Sequence, residues 1–105
     1  MFKCGGVEVQ YRNFGNTGIK VSALGFGTMR LPMFPNSNTI DQEKSIELIR
    51  YAIDNGVNYI DTAYTYQDGQ AEIVTGKALK NGYRSKVYVA SKAPVWEYNN
   101  EYDFD

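Results

Sequence analysis

Three residues in the second half of the chain are of the types that move a proton toward a carbonyl oxygen. Asp61 closes the short apolar run Val57-Asn58-Tyr59-Ile60, Tyr66 follows shortly after it, and Lys92 closes a second run, Val87-Tyr88-Val89-Ala90-Ser91. A phenol alone is a poor donor near neutral pH, because its ordinary pKa is about 10. A neighbouring ammonium stabilises the phenolate and lowers that value, and a carboxylate can keep the ammonium charged and aimed. Such a set suits a Tyr that protonates an alkoxide as hydride reaches a carbonyl carbon. Each residue also has a plainer reading: Asp61 as a turn or cap residue, Tyr66 as one more aromatic, Lys92 as a solvated strand end. Tyr64 offers the same chemistry as Tyr66, and spacing does not choose between them. The chain has no His, so acid–base chemistry here falls to Tyr, Lys, Asp and Glu.

Positioning these groups requires strands and helices, and the sequence marks them. Residues 7–21 read as a hairpin: Val7, Val9 and Tyr11 alternate with polar residues, and Gly15-Asn16-Thr17-Gly18 supplies turn chemistry before Ile19-Lys20-Val21. Ser22 to Met29 is a nearly continuous apolar run, as expected of a strand buried on both faces. Gly25 and Gly27 within it point to close approach of backbone or ligand. Gly25-Phe26-Gly27 is not a dinucleotide fingerprint, since neither a helix nor a third glycine follows at the needed spacing. Arg30 to Ile40, with Pro32, Pro35, Asn36, Ser37 and Asn38, is a loop. A helix should start at Asp41, or at a capping box of Thr39 and Gln42, and present Ile46, Ile49 and Ile53 with Leu48 and Ala52 alongside. Asn55-Gly56 should end it. A strand over 57–60, a helix over 70–79 closed by Asn81-Gly82, and a strand over 86–92 complete the pattern.

A hairpin followed by strand, helix, strand, helix, strand implies right-handed crossovers and a parallel sheet with helices outside it. Such a sheet is either open or closed into a barrel, and in both cases functional groups gather at the carboxyl ends of the strands. Thr28, Met29, Asp61 and Lys92 fall there.

The chain has 105 residues, 43% apolar and 22% charged, with a net charge of -1, which sets an upper bound of one domain. That charge balance carries no electrostatic footprint for nucleic acid or an anionic membrane. Its apolar runs are too short to cross a bilayer, and the N-terminal residues lack the apolar core of a signal peptide. Cys4 is the single cysteine, which excludes an internal disulfide, makes the thiol incidental and sets a cytoplasmic expectation. No metal site is expected.

The chain closely resembles the N-terminal part of the aldo/keto reductases. The matching text is Tyr11-Arg12-Asn13-Phe14-Gly15-Asn16-Thr17-Gly18-Ile19-Lys20-Val21-Ser22-Ala23-Leu24-Gly25-Phe26-Gly27-Thr28-Met29, then Gly56-Val57-Asn58-Tyr59-Ile60-Asp61-Thr62-Ala63, then Tyr66. It continues through Gly69, Glu72 and Gly76-Lys77-Ala78-Leu79 to Val89-Ala90-Ser91-Lys92. The resemblance implies a (β/α)8 barrel with the hairpin plugging its amino-terminal mouth, and a reaction that reduces an aldehyde or ketone with NADPH, or with NADH as the alternative. It implies Tyr66 as proton donor, Lys92 as the residue that lowers its pKa and Asp61 as the partner of Lys92. Gly27, Thr28 and Met29, with Asp61, fall beside the nicotinamide, and Glu72 matches a structural position.

A complete barrel takes about 250 residues, so residues 1–105 are expected to hold the hairpin, three strands, two helices and, over 93–105, the loop entering the next helix. The family's fourth catalytic residue, a His on the next strand, and most contacts to the cofactor phosphates fall outside this expectation. Met29-Arg30-Leu31-Pro32 and Arg50-Tyr51-Ala52-Ile53-Asp54-Asn55-Gly56 look most like the branch with a C-terminal iron–sulfur region, and a cluster is implied only where that region exists. The same reading leaves two unpaired sheet edges, through which the chain is expected to self-associate. By itself it is expected to be inactive, a fragment or an interaction module.

Overall fold

In the computed structural model, residues 3–4 and 7–94 are described. Two short antiparallel pairs precede a three-stranded parallel sheet. β1 (Lys3–Cys4) pairs with β2 (Val7–Glu8), and β3 (Tyr11–Asn13) pairs with β4 (Lys20–Ser22). The expected hairpin over 7–21 is thus corrected to Tyr11–Ser22, and Val7 belongs to a separate turn-back onto Cys4. Alternation alone did not reveal the break in pairing between Glu8 and Tyr11. The turn itself is as read: Gly15 and Gly18 take positive φ, and Phe14 N–H donates to Ile19 O at 2.8 Å.

β5 (Phe26–Gly27), α1 (Gln42–Asp54), β6 (Tyr59–Asp61), α2 (Gln70–Ala78) and β7 (Tyr88–Ala90) follow in order. The sheet order is β5-β6-β7, all parallel, with Gly27 opposite Asp61 and Asp61 opposite Ala90. Parallel neighbours joined through helices are the βαβ units that the alternation predicts. The first strand is much shorter than expected, and Leu24 and Met29 are exposed. It is an edge of the sheet with helices on one face, so the apolar run Ser22–Met29 is not covered on both sides. The two glycines part company: a Cβ at Gly25 would touch the Tyr59 ring at 3.4 Å, whereas at Gly27 it would meet nothing within 4 Å.

α1 begins where the chemistry places it, with Asp41 Oδ1 accepting from Lys44 N–H at 3.2 Å, and it ends at Asn55 with Gly56 at φ +104°. Its buried positions are Ser45, Ile49, Ala52 and Ile53, with Leu48 left exposed. Ile60 and Val74 meet this stripe from β6 and α2. Full burial of Ile49 or Ile60 contributes about 1.5–3 kcal/mol each, enough to hold the helical layer against one face of a small sheet. Because side chains alternate along a strand, Ile60 inside the core puts Tyr59 and Asp61 on the opposite face.

The hairpin docks at the amino-terminal end of that sheet. Asn58 accepts from Ser22 N–H at 2.6 Å and donates to Lys20 O at 3.0 Å, Tyr11 donates its hydroxyl to Gly56 O at 2.7 Å, and the Phe14 ring meets Tyr59 edge-on at 6.0 Å. One element was not legible: a 3-10 turn over Tyr83–Lys86 precedes β7. Tyr83 lies between the Arg50 guanidinium and the Lys86 ammonium, each 4.9 Å from its ring, and its hydroxyl donates to Asp54 at 3.1 Å. That hydrogen bond, then burial and the Asp54 charge, raise the Tyr83 pKa against the opposing pull of Arg50. All but the first two residues of the loop expected over 93–105 lie outside the described residues.

Candidate active site

β6 and β7 lie side by side in register, so their carboxyl ends emerge together. The ladder continues past both strands: Thr62 N–H donates to Ala90 O at 2.8 Å and Tyr64 N–H to Lys92 O at 3.1 Å. This fixes the backbone of Lys92 opposite the turn that leaves β6. The chain then turns through Tyr66, whose carbonyl accepts from Gly69 N–H at 3.2 Å and Ala71 N–H at 3.3 Å. The Tyr66 ring packs against the core while its hydroxyl reaches the strand ends.

The Lys92 ammonium is the hub. It donates to Asp61 Oδ1 at 2.6 Å, to Thr62 O at 3.2 Å and to the Tyr66 hydroxyl oxygen at 3.1 Å, and it lies 5.0 Å from the Tyr66 ring centroid. An ammonium has three donors and no acceptor, so its hydrogen-bonding capacity is filled and Tyr66 can only accept from it. The phenolic proton is left free to point elsewhere. The side chains of Lys92 and Asp61 are 54% and 41% exposed, so the cluster faces solvent on a ledge at the sheet's carboxyl end. The hydrogen bond to Asp61, followed by that to Tyr66, raises the Lys92 pKa, with desolvation opposing and the charges of both partners adding.

Asp61, Tyr66 and Lys92 are therefore brought together, five and thirty-one residues from Asp61 along the chain. Tyr64 is set apart: its side chain is exposed and lines a shallow depression of about 290 Å³ with Glu72, Ser91, Lys92, Ala93 and Pro94. Among the described residues its hydroxyl makes no hydrogen bond. Thr28 is fully buried, with its amide and its hydroxyl both donating to Asp61 O, at 2.9 and 3.1 Å. Its hydroxyl thus ties β5 to β6. Gly27 and Met29 flank it with open surface, Gly27 directly opposite Asp61 and Met29 56% exposed. A Cβ at Gly27 would meet nothing within 4 Å, so the surface at this strand end is open. Glu72, at the start of α2, accepts a hydrogen bond from the Ser91 hydroxyl, tying that helix to the residue before Lys92.

Residues whose part the spacing did not reveal are Gln67 and Gln70. Gln67 accepts from Leu31 N–H and donates to Leu31 O, both at 3.0 Å; Gln70 accepts from Ile40 N–H at 2.9 Å and donates to Asn38 O at 2.6 Å. No sequence signal marks such contacts, because side-chain amides reaching a distant loop depend on the packed fold.

Comparison with known proteins gives a consistent picture. The family model described as "Aldo/keto reductase family" matches residues 23–104. Over 94 residues the chain is 39% identical to aldo-keto reductase YhdN of Bacillus subtilis, covering 89% of this chain and 28% of that protein. It is similar in structure to aldo-keto reductase AKR11C1 from Bacillus halodurans in its holo form, with a TM-score of 0.66 and 32% identity over 79% of this chain and 25% of that one. It is also similar to the aldo-keto reductase from Klebsiella pneumoniae in complex with NADPH, with a TM-score of 0.55 and 38% identity over 69% of this chain and 24% of that one. The chain spans about a quarter of the length of the curated relatives it matches, 28% and 24%.

Proposed function

The chain belongs to the aldo/keto reductase family, and from that premise we propose that it supplies the proton-donating half of an NADPH-dependent reductase of aldehydes or ketones. The observation that carries this reading is the triple commitment of the Lys92 ammonium to Asp61, Thr62 O and the Tyr66 oxygen. With Lys92 unable to accept, the Tyr66 O–H is free to point toward a substrate oxygen.

When bound, the reduced nicotinamide supplies hydride to the carbonyl carbon. The residues of this chain do the rest of the work proposed for it. Tyr66 donates its proton to the developing alkoxide, a contribution of about 10²–10⁴-fold for a positioned acid. The Lys92 ammonium stabilises the phenolate that remains, and Asp61 keeps that ammonium in place. The open surface at Gly27 and Met29 takes the flat end of the cofactor, and Thr28 holds the two strand ends at fixed separation beneath it. The cofactor phosphates need positive partners, and Lys92 is already committed to Asp61. These 105 residues contain no His, so the family's catalytic His is not among the groups assigned a part here. The NADPH complex of the Klebsiella pneumoniae relative supports the cofactor assignment. A cytoplasmic setting fits the same reading; among the described residues no helix is long and apolar enough to cross a membrane.

The test is a fusion in which these residues replace the matching segment of the Bacillus subtilis relative. Reduction of a simple aromatic aldehyde is followed by loss of NADPH absorbance, and nicotinamide binding by fluorescence. Tyr66→Phe should abolish turnover down to the level of an unassisted proton transfer while binding stays within a factor of about two. Turnover that survives Tyr66→Phe, or is lost instead on Tyr64→Phe, would sink the assignment.

A further inference from the structure

The turn that carries Tyr66 is held partly by its own backbone, with Gly69 N–H and Ala71 N–H donating to Tyr66 O, and partly by distant contacts. Gln67 and Asp68 have φ of +51° and +57°, followed by Gly69 at +85°. Two successive non-glycine residues in the left-handed region are uncommon, and such backbone persists where surrounding contacts over-determine it. Gln67 shows what those contacts are. Its side-chain amide lies against the backbone of Leu31 as a second strand would, accepting from N–H and donating to C=O at 3.0 Å each. Gln70, at the first turn of α2, does the same across Ile40 N–H and Asn38 O. Both ends of the Arg30–Ile40 loop are thereby fastened to the segment that follows β6. Leu31 and Ile40 are themselves buried in the core, and the Tyr66 ring packs against that core.

We propose that Gln67 is a positioning residue for Tyr66: by latching onto Leu31 it fixes the left-handed turn that holds the phenol over the Lys92 ammonium, with Gln70 as the second fastening. This deepens the reading of Tyr66 as proton donor and rests on it, so the test uses no turnover. A failed latch and a failed assignment of the donor then show up in different experiments.

The fusion that carries these residues, labelled with 15N and 13C, is followed by NMR through two signals. One is amide exchange at Leu31 and Ile40; the other is the titration of Lys92, read at its side-chain carbons. Gln67→Ala should speed exchange at Leu31 about fivefold to tenfold, the loss of about one net hydrogen bond, and should shift the Lys92 titration toward that of an ordinary lysine. Tyr66→Phe should produce the same shift, and the double variant no further one, because the two residues act through a single contact. Gln67→Gly separates latch from backbone, since glycine accepts the left-handed turn without strain but carries no amide. It should behave like Gln67→Ala. If Gln67→Ala does not fold, Gln67→Glu serves in its place. It keeps the acceptor for Leu31 N–H and loses the donor, and it should shift the Lys92 titration part of the way. A wild-type Lys92 titration in Gln67→Gly or in Gln67→Glu overturns the proposal, as does faster exchange at Leu31 with Lys92 unmoved.

Discussion

Asp61 O accepts two hydrogen bonds from Thr28, one from its amide at 2.9 Å and one from its hydroxyl at 3.1 Å. The same residue that offers its carboxylate to Lys92 thus offers its carbonyl to the neighbouring strand. Removing the hydroxyl while keeping the shape isolates that second role. Thr28→Val should cost about 1 kcal/mol of stability and leave the Lys92 titration intact. Chemical denaturation together with NMR titration checks both halves, and a changed Lys92 titration would tie Thr28 to the ion pair rather than to the sheet.

Asp61→Asn should bring the raised Lys92 pKa back toward the ordinary lysine value, because the hydrogen bond to Asp61 is the largest cause of the shift. In the fusion it should lower turnover more than it weakens NADPH binding, as the ammonium loses its anchor. Unchanged kcat with an increased KM for NADPH would assign Asp61 to cofactor binding instead.

The Lys92 pKa also sets a stability window. In the folded chain the ammonium keeps its proton to higher pH than in the unfolded chain, where the ordinary value is about 10.4. Its stabilisation is therefore whole below about pH 10 and is lost as pH rises through the folded value. The pair is half-exposed, so the effect is small. Tyr83, also raised, loses its contribution in the same direction. Urea midpoints from about pH 8 to 11.5 should show the gap between wild type and Lys92→Met closing only in the alkaline range. A gap that closes toward acid would contradict the sign.

Stability should be concentrated in the layer between β6 and the helices. Ile60→Ala, at a fully buried position on the central strand, should cost about 2–5 kcal/mol. Asp41→Ala, which removes the cap of α1, should cost about 1 kcal/mol. The reverse ranking in denaturant titrations would mean that helix capping outweighs the core.

The 105-residue polypeptide alone should show no NADPH-dependent reduction and should self-associate. Among the described residues, β5 and β7 are each bonded on one side only, and unpaired edges recruit further strands. Sedimentation velocity and an aldehyde assay test this together. A monodisperse monomer that turns over would refute it.

Much of this was legible in the amino acids. Asp41, Asn55-Gly56 and the Ile49–Ile53 stripe announced α1 because caps and periodicity are local. Asp61 and Lys92 could be placed because strand ends collect chemistry in parallel sheets, and the family resemblance singled out Tyr66. Spacing alone did not choose between Tyr64 and Tyr66, because both lie in one turn and packing decides which hydroxyl meets the ammonium. Gln67 stayed hidden for the same reason, its partner Leu31 lying thirty-six residues away. The short length of β5 was misread because glycine-rich apolar text looks the same whether one face is covered or two.

The register of β6 against β7 has a consequence in time. Asp61, Tyr66 and Lys92 all lie within a single crossover, with partners at most thirty-one positions apart. Closing a loop of that size costs little more entropy than closing one half as long, and chains are made from the N-terminus, with units folding as they emerge. The Asp61–Tyr66–Lys92 cluster can therefore assemble once Lys92 has been synthesised and released, ahead of any residue that follows it.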